Sequence, residues 1–117
     1  MKRGLVIAAL LALAPLSAQA QEDSSAQIVH EIETSGYLDG LGHVQQAIMR
    51  CQTPDPNEVW NLEVQSNGYA QRAAAVANAT GGPAHVTALK LEHGLEYQYY
   101  QLANPVTPDI CYQPPSS

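Results

Sequence analysis

The side chains with chemistry to offer in this 117-residue chain are four histidines, two cysteines and a few neighbouring carboxylates. His30, His43, His85 and His93 would serve a metal ion or a proton relay if the fold gathered them. A single helix brings two imidazoles to one ion through H-x-x-x-H or H-E-x-x-H, and neither spacing occurs. His85 and His93 stand eight residues apart, about two helical turns, and the adjacent Glu92 and His93 face different ways. These histidines read as surface or core-edge residues whose shared role would be a response to pH. Glu31 with Glu33 and Glu92 with Glu96 are the paired carboxylates. Glu92 and Glu96 share a helical face, where they would either mark a cation site or form an ordinary solvated surface. A nucleophilic site lacks its sequence context, since there is no G-x-S-x-G. Metal binding or hydrolysis by the histidines with Glu92 or Glu96 is therefore the alternative reading, and no cofactor is expected.

Cys51 and Cys111 make an even pair without a C-x-x-C motif. In an oxidising compartment such a pair reads as a disulfide, worth ~4 kcal/mol for so long a loop in the chain-entropy model. Tyrosine supplies the last candidate feature. Tyr97, Tyr99 and Tyr100 cluster near Tyr112, in a chain with no phenylalanine. Tyrosine offers rigid amphipathic area suited to an interface, and it would equally seal a small core. A helix cannot turn Tyr97, Tyr99 and Tyr100 to one side, so at least one is expected to be exposed or covered by the tail.

The compartment is set by the first twenty residues. Lys2 and Arg3 precede an apolar run from Gly4 to Leu13, Pro15 ends it, and Ala18-Gln19-Ala20 suits a signal peptidase. The run is too short to span a bilayer, so residues 1–20 read as a cleavable signal peptide and the destination as periplasm or medium. Cleavage leaves three basic residues against eleven acidic ones, a formal net charge of −8. Such a surface repels phosphate backbones and anionic headgroups, which excludes nucleic acid and membrane as expected partners.

The elements that position these residues are helical. Asp23, Ser24 or Ser25 would cap a short helix with Ile28, Val29 and Ile32 on its apolar side, and Gly36 would break it. Tyr37, Leu41, Val44, Ile48 and Cys51 follow three-four spacing, which places Cys51 at a helix end on the buried side. Asp55-Pro56 reads as an N-cap with proline at the first helical position, and Val59, Leu62, Ser66, Tyr69, Ala73 and Val76 form the next stripe. Gly68 is expected to kink or split that helix, and Gly81-Gly82 to end it. A third long helix runs from Pro83 to about Ala103, with Ala88, Leu91, Leu95 and Leu102 on one stripe and Tyr99 or Gln98 completing it. Val86, Leu89, His93 and Tyr97 make a neighbouring stripe. The expected fold is all-α: an antiparallel bundle of three to four helices over 21–104, with an extended Pro-rich tail, 105–117, pinned by Cys51–Cys111.

The order of landmarks resembles a group of small secreted alphaproteobacterial proteins of uncharacterised function. They share a signal peptide, a helix ending in cysteine (here Leu41 to Cys51), a following tryptophan (Trp60), and a glycine- and aromatic-containing helix before a second cysteine. That helix corresponds to Glu92-His93-Gly94-Leu95-Glu96-Tyr97, leading to Cys111. The resemblance implies the fold and no activity. Taken together, the residues favour an exported, non-enzymatic binding module with a protein partner in the periplasm.

Overall fold

Capping chemistry sets the first boundary of the chain. In the computed structural model, which describes residues 23–112, Ser24 accepts the Gln27 N–H on its hydroxyl (3.2 Å) and opens helix α1, Ser25–Thr34. The expected signal peptide, residues 1–20, and the tail beyond Tyr112 lie outside the described residues. α1 stops where Gly36 turns into the left-handed region (φ 85°), and Tyr37 begins α2, Tyr37–Met49. The turn is fastened by Ser35, whose Oγ accepts from the Tyr37 N–H (3.3 Å) and from the Tyr69 hydroxyl (3.1 Å). α3, Pro56–Ala79, starts as its sequence dictates: Asp55 accepts the Asn57 N–H (3.0 Å) and Pro56 occupies the first turn. α4 spans Gly82–Ala103, and a single 3-10 turn, Asp109–Tyr112, follows it. All regular structure among the described residues is helical.

α3 and α4 are joined by two residues and lie along one another as the largest contact in the molecule. Across the turn His85 Nδ1 donates to the Ala77 carbonyl (2.6 Å). Their interface is slim, with Ala70, Ala73 and Ala77 facing Ala88 and Leu95, so the two helices approach closely. α1 packs on both helices of this hairpin through Ile28 and Ile32, and α2 packs on α3. Tyr37 is the keystone of that side. It is fully buried, meets Tyr69 edge-on (centroids 5.6 Å apart), and donates its hydroxyl to Gln98 Oε1 on α4 (2.7 Å). Burial pushes its phenol up from the ordinary value, with Ser66 opposing the shift. Leu62 seats against Gly40, where a Cβ would lie 2.8 Å from Leu62 Cδ2.

Four expectations change. Gly68 does not split α3: the helix is continuous through it, with Ser66, Ala70 and Ala73 buried on either side. Cys51 is exposed rather than buried, two residues past the end of α2. The tail is extended only over 105–108 before its 3-10 turn, closed by the Cys111 N–H on the Pro108 carbonyl (3.0 Å). Of the Val86, Leu89, His93 and Tyr97 stripe only Leu89 packs against the core; the others face solvent.

Candidate interaction surface

Cys51 and Cys111 form the expected disulfide, with Cα atoms 5.5 Å apart. Its setting follows from how α2 ends. The Cys51 N–H returns to the Ile48 carbonyl (3.0 Å) and the Gln52 N–H to the Ala47 carbonyl (2.8 Å), a Schellman closure. That closure needs a left-handed residue at Cys51 (φ 60°), a place usually filled by glycine. The crosslink draws the tail to the same end of the molecule as the start of α3 and the end of α4.

Large side chains are left in solvent at this end. Trp60 and Val64 on α3, Tyr97, Tyr99 and Tyr100 on α4, and Val106, Ile110 and Tyr112 in the tail are all exposed. Trp60 is 63 % exposed, Tyr99 43 %, and Tyr112 72 %. None of the four tyrosines singled out in the sequence closes the core; Tyr37 and Tyr69 do that. Trp60 is the functional candidate that sequence reasoning passed over. Its signal was available, since it falls outside the Val59, Leu62, Ser66 stripe, and a tryptophan off the core stripe of an amphipathic helix is exposed by geometry.

The histidines stay apart. His43 Nδ1 lies 2.8 Å from both carboxylate oxygens of Glu58, joining α2 to the first turn of α3. They border an open groove of about 500 Å³ that also meets Gly36, Asp55, Asn61 and Gln65. His85 is engaged with the Ala77 carbonyl, and His30 and His93 are exposed. Among the described residues no three His, Cys, Asp or Glu side chains converge as metal ligands. Glu92 is half-buried and Glu96 exposed, both on α4.

The strongest electrostatic feature is structural. Arg72 on α3 donates to Asp23 (2.7 and 3.2 Å) and to Glu31 (2.8 and 2.9 Å), tying both ends of α1 to the hairpin. The Arg72 hydrogen bonds hold the Glu31 carboxyl below its usual range, and the two acids push the guanidinium further up.

The geometry thus defines an all-helical, disulfide-closed chain with an aromatic end. Comparison with family models, with curated proteins and with solved structures gives no match. Among the described residues no helix is long and apolar enough to cross a membrane.

Proposed function

We propose that this chain is an exported, non-enzymatic module that works by binding another protein, as an inhibitor, an immunity-type protein or a small stress chaperone does. In this reading it is a small antiparallel helical bundle, its Pro-rich tail pinned back, and a relative of the small secreted two-cysteine proteins it resembles. The carrying observation is the exposure of Trp60, Tyr97, Tyr99, Tyr100 and Tyr112 at one end of the molecule. Tyrosine and tryptophan are enriched at protein interfaces relative to the rest of the protein surface. The disulfide supports an oxidising destination. The test is a periplasmic extract passed over the immobilised chain and over a Trp60→Ser/Tyr99→Ser/Tyr100→Ser variant. A protein retained by the first and released by the second is expected. Equal retention by both, or none at neutral and acid pH, refutes the reading.

A second reading, a small metal-binding or hydrolytic protein, draws on the His43–Glu58 contact beside the groove. Metal analysis of chain purified without chelator decides it, a stoichiometric ion being the result that would favour it.

A further inference from the structure

Helix α3 has a covered and an uncovered flank. Glu58, Tyr69 and Arg72 contact His43, Ser35 and Asp23 or Glu31, so they mark the side facing α1 and α2. At 100° per residue, Trp60, Glu63 and Asn67 lie on nearly the opposite side. On α4 Gln98 marks the covered side through Tyr37, and Glu92, Glu96 and Tyr99 fall away from it. The His85–Ala77 contact fixes the offset between the two helices. Carried along the hairpin, it sets Glu63 level with Tyr99, and Trp60 level with Leu102. The uncovered flank therefore combines two aromatic rings with Glu63, Glu92 and Glu96.

No cation among the described residues balances those carboxylates. Arg72 is turned to the other flank and spent on Asp23 and Glu31, Arg50 caps the end of α2, and Lys90 lies about 160° round α4 from Glu92. Carboxylates beside exposed indole and phenol rings suit a guanidinium or ammonium group, which pairs with the acids and stacks on the ring faces. Building on the interaction reading, we propose that this flank, from Trp60 to Glu92, takes an Arg- or Lys-rich amphipathic segment of a partner protein.

Trp60 is the chain's single tryptophan and reports directly on its own flank. The purified chain is titrated, by Trp60 fluorescence, with three peptides of equal length in which leucine alternates with arginine, glutamate or serine. The arginine peptide should give a saturable change that weakens as salt rises. Glu92→Gln/Glu96→Gln should weaken it about tenfold, roughly two exposed ion pairs. Glu33→Gln/Asp39→Asn makes the same charge change on α1 and α2 and should alter it by less than about twofold if the site is local. Equal weakening by both pairs means diffuse attraction to a net acidic chain and overturns the proposal, as does silence toward the arginine peptide. A saturable response to the glutamate or serine peptide alone overturns the cationic partner while leaving the interaction reading intact. That reading fails separately, in the extract experiment, if ring removal changes nothing.

Discussion

Replacing Cys51 and Cys111 together with alanine removes a crosslink between residues 60 apart in sequence. In the chain-entropy model a loop of that length constrains the unfolded chain by ~4 kcal/mol. The structure lowers the figure, because the folded chain also gains freedom when the bond is gone. Leu102 is the last buried residue before the tail, nine positions short of Cys111. Among the described residues the tail has no backbone hydrogen bond to α1, α2 or α3; the Asn104 N–H returns to Tyr100 within its own helix end, and Cys111 to Pro108. Val106, Ile110 and Tyr112 are exposed, so little but the covalent bond holds this segment. The relevant entropy is then the difference between closing about 60 residues in the unfolded state and about nine in the folded one. With loop closure scaling as (3/2)RT ln n, that difference is ~1.7 kcal/mol. Alanine is the right replacement at position 51, because glycine would also remove the ~1 kcal/mol cost of a left-handed side-chain residue and mask the effect. Urea unfolding followed by far-UV circular dichroism should show unchanged helical signal at zero denaturant and a loss near 1.7 kcal/mol. A loss near 4 kcal/mol, or loss of helical signal before urea is added, would show that the tail is an integral part of the packed structure and refute the reasoning.

Three further outcomes are expected. Gly42→Ala, Gly68→Ala and Gly94→Ala each place a methyl in open space on a helix and should raise stability by about 0.5–1 kcal/mol, whereas Gly36→Ala, at φ 85°, should lower it by about 1–2 kcal/mol; thermal melts that rank these four otherwise would contradict the backbone assignment. Tyr37→Phe keeps the ring packing and leaves Gln98 Oε1 without its donor, so denaturant unfolding should show a cost of about 1 kcal/mol, and no cost would mean that water replaces the hydroxyl. The Glu31 carboxyl is held below its unfolded value by Arg72, so its contribution is complete above the ordinary carboxylate pKa and is lost as pH falls through the folded value. Glu31→Gln should therefore cost about 0.5 kcal/mol at pH 7, small because the side chain is 42 % exposed, and the gap in urea midpoints should close as pH falls below the usual carboxylate range; a gap independent of pH would show that the carboxylate charge contributes nothing.

What was legible in the sequence was whatever depended on local spacing. Three-four periodicity gives the buried Tyr37 and Val44 of α2, Leu62, Ser66 and Ala73 of α3, and Ala88 and Leu95 of α4. Asp55-Pro56 and Ser24 cap as their chemistry requires. The errors arise where a choice is made outside the local window. Cys51 continues the α2 stripe by number, yet the Schellman closure ends the helix two residues earlier and rotates it into solvent. The choice between Gln98 and Tyr99 as completion of the α4 stripe depended on a hydroxyl 61 positions away, on Tyr37, and so was decided by tertiary packing. The tyrosines posed the same problem. Helix geometry requires at least one of Tyr97, Tyr99 and Tyr100 to leave the core, but how many do is a tertiary matter: two other rings, Tyr37 and Tyr69, complete a core otherwise built of alanine and aliphatic residues. The Arg72 clamp left no trace in local spacing, since its partners lie 41 and 49 residues upstream.

The uncovered flank follows from helix length. α3 and α4, of 24 and 22 residues, are about 36 and 33 Å long, whereas α1 and α2, of 10 and 13 residues, reach about 15 and 20 Å. The two short helices together match one length of the hairpin and can cover one side of it. Tyr37 fixes which side, since it stands at the junction of the short helices and binds both Tyr69 and Gln98. Among the described residues only the tail remains to cover the other side, and it is drawn by Cys111 to the end of α2. Trp60 and Tyr99 are thus exposed for a reason built into the lengths of the elements. They stand beside Glu63, Glu92 and Glu96, whose like charges oppose pairing of this flank with a second copy of itself, so the proposed cationic segment is complementary where self-association is not.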